Sequence, residues 1–503
     1  MKTLIKLRIA RIPSAIRLAA LVAIGALASL ALPLAVTAQS PAISEGMVCT
    51  NSTGSPQGYA SFLLTASGNY VKTPDGNNIY MWGYANGNGS FQYPGPVLCV
   101  NEGDNVTVTV KNTLPVPTSL VFPGMTRVRA NGVLETLQTS TNSLVPAAAA
   151  GNTTPKSITY TFIAANPGTY LYESGTDPEI QVQMGLVGAL VVRPRLNPDN
   201  LSDSNSCASL KLAGKLPSNT WYQPHEALVY NDCSSAYNPK AEFMHLLTEI
   251  DPHMHAAIEK ATCADVAPGT VPACVPTAAT YDLTKYTPRY FMINGRSFPD
   301  DITPNFAPAL GQQPYGALVR VRPKNFDPTS VDYNPLPALV RFLSGGPVTY
   351  PFHPHSNHDQ QIGTDGRELL DSSGVSLSFD RFGFVMAPGQ TAEALFNWSD
   401  GQGFASSTPG IGVPEPQVQN RTDGQFWSGT PYLGMKLPLN PGKTQWNACG
   451  EYYQFAHSHA LFQITNYGAS GGGMLTLIRV DPPLSWQATH ETCDNNGPGY
   501  PAP

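Results

Sequence analysis

Charge is scarce in this chain: Asp, Glu, Lys and Arg make up 13% of its 503 residues. Long amphipathic helical periods are scarce as well. No two of the eight cysteines have CxxC spacing, which gives a thiolate zinc site or a redox dithiol little support. There is no Gly-rich phosphate loop and no Gly-x-Ser-x-Gly elbow. Basic residues are outnumbered, 29 against 35, so the mildly acidic surface disfavours nucleic acid as a partner. What is abundant is punctuation: 45 Gly and 47 Pro point to short strands joined by many turns.

The first residues carry Lys2, Lys6, Arg8, Arg11 and Arg17 and no acid, then an apolar run from Leu18 to Leu34, then Val36-Thr37-Ala38. That order reads as a secretory signal peptide over 1–38, with an uncleaved membrane anchor as the alternative. Its removal takes away five positive charges and deepens the formal charge from −6 to −11. No later segment is apolar for long enough to span a bilayer. Export, to the periplasm or beyond the cell, favours disulfides among the eight cysteines. Cys263 with Cys274 and Cys207 with Cys233 are the expected loop closures.

Val106 to Val110, Ser157 to Phe162 and Leu318 to Val321 alternate at the strand period of two, each bounded by turn residues. Glu242 to Lys260 reads as the one helical run, interrupted at Pro252. The fold class is therefore all-β and mainly antiparallel, built as sandwiches. A first domain is expected over 59–195, a polar linker over 196–220 and a second region over 221–503. That region is one enlarged sandwich, or two, with a long surface loop at about Asp400 to Gly442.

Pro94-Gly95-Pro96-Val97-Leu98-Cys99-Val100-Asn101-Glu102-Gly103-Asp104 resembles the opening of a multicopper oxidase's first cupredoxin domain. Gly168 to Tyr172 and Gln183 to Leu190 resemble that domain's closing hairpin. Ile293-Asn294-Gly295-Arg296 and Pro388-Gly389-Gln390-Thr391 resemble phrases of the later domains, and Pro351 to His355 and His457-Ser458-His459 fall where the C-terminal copper motifs fall. The resemblance implies tandem cupredoxin-like Greek-key β-sandwiches, copper, and oxidoreductase activity.

Carried over residue by residue, the copper ligands are mostly gone. Val121-Phe122-Pro123-Gly124 stands where the family has its first histidine motif, and Glu173-Ser174-Gly175 where it has the second. Tyr350, Ser458 and Gln463 replace the histidine, cysteine and histidine of the blue (type 1) site, with Met474 near the axial place. A blue site needs a thiolate, which a serine hydroxyl cannot replace, so ordinary laccase chemistry is not expected. Four of the eight cluster histidines survive: His353, His355, His457 and His459. Residues i and i+2 of a strand share a face, about 6.5–7 Å apart. Two such pairs could hold one copper or zinc ion, or two, with His358, Glu173 or Asp177 as additional partners. Glu173 is the candidate catalytic base.

Three functions follow from these residues. One is an exported metal-dependent oxidoreductase acting on an unidentified small molecule or electron donor. Another is a non-catalytic cupredoxin scaffold for metal or partners at the cell surface. The third is a hydrolase or isomerase using Glu173 and a histidine. Asp251-Pro252-His253-Met254-His255 is a weaker metal candidate, and Arg296 is expected to anchor a turn or an interface carboxylate. Met125 and Met184 are expected in the core. The oligomeric state is open, a homo-oligomer included.

Overall fold

In the computed structural model the described residues are 45–50, 52, 58–134, 144–147, 156–215, 227–262, 280–322, 324–355, 359–396 and 452–480. The leader, Cys263, Cys274, His358 and the expected loop at 400–442 lie outside them.

Strands dominate, and they form two sandwiches. In the first, a four-stranded sheet (Cys49–Thr50, Val97–Asn101, Val187–Arg193, Gly168–Glu173) faces a six-stranded one centred on Tyr59–Lys72, Asn105–Asn112 and Lys156–Ile163. Asn105–Asn112 shows why: Val106, Val108 and Val110 are buried while the residues between them reach outward. Phe62, Trp82, Phe122, Tyr160 and Leu190 fill the space between the sheets.

The second sandwich packs a nine-stranded sheet on a five-stranded one. The smaller sheet runs in the order Val319–Val321, Leu475–Val480, Tyr452–Ser458, Tyr350–Pro354, Phe384–Met386. Phe342, Tyr350, Phe352, Phe384 and Met474 lie in its core.

The pairing among the described strands is mainly antiparallel, as expected, with a few parallel pairs. Tyr59–Lys72 lies parallel to Asn105–Asn112, and Val97–Asn101 parallel to Val187–Arg193. The chain visits the opposite sheet between the members of each parallel pair, so it returns running the same way.

The helical reading of Glu242 to Lys260 needs correction. Glu242–Ile250 is a strand, buried along its whole length, and only Pro252–Thr262 is helical. Phe243 and Leu247 enter the core of the second sandwich, while Met244, Leu246 and Ile250 enter a core shared with Leu171, Val187 and Val191 of the first. A strand covered on both faces loses its period-two signature, which is what made it ambiguous. Pro252 starts the helix instead of breaking one, because the first turn needs no N–H from it. Asp251 Oδ1 accepts the His253 N–H at 2.9 Å and satisfies one of the free donors.

Ion pairs reinforce the junction between the sandwiches. Arg341, fully buried, bonds Glu242 at 2.7 Å and Thr169 at 2.9 Å, and Arg193 reaches the same Glu242 at 2.9 Å. Within 196–220, residues Cys207–Leu212 form a short helix, and the expected Cys207–Cys233 disulfide ties it down. Cys49–Cys99, not anticipated, pins the first short strand to its parallel neighbour. Among the described residues no helix is long and apolar enough to cross a membrane.

Candidate metal centre

Strand alternation sorts the family's copper positions onto two faces of one strand pair. Tyr350–Pro354 and Tyr452–Ser458 run antiparallel, with His353 opposite His457 and Phe352 opposite Ser458. Tyr350, Phe352 and Ser458 therefore point into the core, and the histidines point out of the other face. His459 follows directly, its N–H bonded to Pro351 O at 2.7 Å.

All four sequence-predicted histidines come together. Ring centroids lie 4.8 Å apart for His353 and His355, 5.0 Å for His355 and His457, 5.5 Å for His353 and His459, and 5.8 Å for His457 and His459. His457 is buried, His353 and His355 are half-buried, and His459 is exposed. His457 Nδ1 lies 2.8 Å from its neighbour's carbonyl, Ser458 O, and His353 Nδ1 bonds Phe382 O. A carbonyl only accepts, so both Nδ1 atoms carry the hydrogen and both Nε2 atoms present a lone pair. His355 Nε2 is 2.9 Å from His457 Nε2 and must be the donor in that contact. Burial and the other three histidines push His355 down to about 4, and burial lowers His457 too. Both are neutral at neutral pH.

Two ligands at about 2.0–2.1 Å from one ion are separated by ~2.9–3.4 Å at right-angled to tetrahedral geometry. The His355–His457 pair meets that spacing. Among the described residues no three His, Cys, Asp or Glu side chains already converge as a finished metal cage. What the cluster offers is one donor pair at ligand spacing with two more rings beside it.

A blue copper site does not fit. Ser458 Oγ donates to Gln463 Oε1 and also accepts the Ala460 N–H at 3.3 Å, and Gln463 Nε2 donates to Thr349 O at 3.2 Å. Tyr350 donates its hydroxyl to Glu249. Met474 is buried in the core. These side chains bond one another or backbone, and none supplies a thiolate or imidazole.

Glu173 belongs to the first sandwich, whereas the histidines are carried by the second. It ends Gly168–Glu173 in the first sandwich, its backbone bridged to Val121, and burial alone raises its carboxyl. Phe122, in the other former ligand stretch, is fully buried against Phe162 at 4.7 Å. His255 is a core residue, with its ring nitrogens 2.6 Å and 3.2 Å from Tyr80 O and Gln183 O, while His253 is exposed. Arg296 anchors a turn through Gln313 O, Thr303 O and Pro304 O. Met184 lies in the first core and Met125 packs against it. Sequence reasoning missed Glu249, whose only signal is an acid inside an apolar run.

The multicopper oxidase family model matches residues 69–197. Laccase abr2 of Aspergillus fumigatus is 29% identical over 172 residues, which are 34% of this chain and 23% of that laccase. Residues 69–197 carry a multicopper oxidase domain. The matched stretch spans about a quarter of the laccase's length. A blue copper oxidase from Nitrosomonas europaea superposes with a TM-score of 0.46 at 16% identity, covering 88% of each chain. The multicopper oxidase from Campylobacter jejuni, described as a metallo-oxidase, gives 0.43 at 12% identity over 88% of this chain and 62% of its own. Outside that domain, the second sandwich brings His353, His355, His457 and His459 together on one face of a strand pair, with Tyr350, Ser458 and Gln463 buried on the other.

Proposed function

We propose that this protein is an exported oxidoreductase that holds a transition-metal ion, copper before zinc, at His355 and His457, with His353 and His459 completing the set, and that it works without a blue copper. The observation that carries the reading is the 2.9 Å separation of the His355 and His457 Nε2 atoms. The hydrogen bonds from His353 and His457 Nδ1 to backbone carbonyls support it, because they aim Nε2 outward as ligand orientation requires. To bind, His355 moves its hydrogen from Nε2 to Nδ1, without change of charge. Copper, when bound, supplies one-electron redox chemistry. Exposed His459 leaves that side open to a small electron donor. The two disulfides are compatible with export. Glu173 is a separate proposal, a proton acceptor whose carboxyl burial raises above the ordinary carboxylate range, which makes it a stronger base.

Elemental analysis of chelator-free protein loaded with copper or zinc tests the reading. Roughly one or two firmly held ions per chain are expected, and loss of them in a His353→Ala/His457→Ala double variant. No retained ion after loading sinks it and leaves the scaffold function. Metal that stays without any oxidant-consuming turnover sinks the oxidoreductase half alone.

A further inference from the structure

Glu249 is a buried acid between the two sandwiches. It is 2% exposed, on the strand Glu242–Ile250, whose side chains enter the cores on both sides, and among the described residues no cation acts on it. Three phenols and one more acid surround it. Tyr350 donates to Oε2, Tyr286 lies 3.0 Å from Oε1, Tyr93 is close enough to feel its charge, and Asp251 acts on Tyr286 from the far side. Gly346 packs so closely on the pair that a Cβ there would strike Tyr350 Oη and Glu249 Oε2.

The Tyr286 hydroxyl has a second acceptor, Gln183 Oε1, at 2.8 Å. One phenol hydrogen cannot serve two acceptors. Either the carboxyl brings a hydrogen of its own, or the Gln183 amide turns over to donate. Burying a carboxylate with no cation beside it selects the first arrangement. The chain then runs in one direction: Tyr350 donates to Glu249, Glu249 to Tyr286, and Tyr286 to Gln183. Gln183 belongs to the first sandwich, so the chain crosses the junction.

We propose that Glu249 is a proton-operated switch between the two sandwiches: a carboxylic acid at neutral pH that donates to Tyr286, and in alkali a carboxylate that draws the Tyr286 hydrogen away from Gln183. Burial pushes its carboxyl up to about 8, which places the change just above neutrality. On ionisation Gln183 Oε1 loses its donor, and the contact as it stands is given up. Tyr350 donates to Glu249 in both states, so the strand carrying His353 and His355 stays anchored at its head. The switch works whether or not those histidines hold an ion.

Infrared difference spectroscopy of wild type against Glu249→Gln tests it, because the amide copies the neutral acid: its carbonyl accepts from Tyr350 and its NH2 donates to Tyr286. At about pH 6 the wild type should show an extra carboxylic-acid carbonyl band that is gone by about pH 10. Amide exchange across 178–186, corrected for the intrinsic rate, should quicken several-fold over the same range in wild type and stay flat in Glu249→Gln. Absence of the acid band at the lower pH overturns the proposal, as does an exchange step shared by both proteins. Should Glu249→Gln fail to fold, Tyr286→Phe is the reference. It keeps the carboxyl, so it should show the band, and it lacks the hydroxyl link, so it should lose the exchange step.

Discussion

His355 and His457, 102 positions apart in sequence, meet with their Nε2 atoms 2.9 Å apart. An ion bonded to both at about 2.0–2.1 Å would sit to one side of the line between them, once the hydrogen they share has moved away. That makes this pair the centre of the cluster and ranks the four histidines by consequence.

His457→Ala and His355→Ala should each abolish tight copper binding, whereas His459→Ala, at the exposed edge, should weaken it and leave measurable stoichiometry. Isothermal titration with copper on the three variants checks the order. Equal losses in all three would show that the ligand set is symmetrical.

Acid should destabilise the metal-free protein in a defined window. His245, buried between Phe342 and Phe352, and His355 are both pushed down to about 4 by burial, while an unfolded histidine titrates near 6.5. Between those values the unfolded chain binds more protons, so stability is lost as pH falls from about 6.5 to about 4. Urea midpoints across that range should decline, and more shallowly in His355→Phe.

Restoring a thiol should not restore blue copper. Ser458→Cys places sulfur where Oγ now donates to Gln463, yet Tyr350 and Gln463 still supply no imidazole. The expected visible spectrum after copper loading lacks an intense thiolate band. An intense blue band would mean that the core face can still assemble the site.

Arg341→Leu should cost about 3–5 kcal/mol, since it strands Glu242 as a buried charge served only by Arg193. Pairing it with Glu242→Leu should recover much of that loss. Denaturant unfolding of the two singles and the double gives the coupling.

The sequence was legible where its signal is local. Period-two runs such as Val106 to Val110 place strands because a one-residue slip would expose their valines. Glu242–Ile250 was not legible, because burial on both faces erases the alternation that tells strand from helix. The spacing His353-x-His355 and His457-x-His459 already put each pair on one face of its strand.

By itself, then, the sequence determined the sandwich class and two like-facing histidine pairs, matters of residue type and i, i+2 spacing, while the replaced blue-copper residues are what its resemblance to the multicopper oxidases implies. Only the tertiary structure decided that the pairs face each other, that Glu173 lies in a different sandwich from them, and that Glu249 sits among phenols without a cation. Those facts depend on strand register and on the packing of one sandwich against the other, which bring together residues some hundred positions apart and have no local signature in the chain.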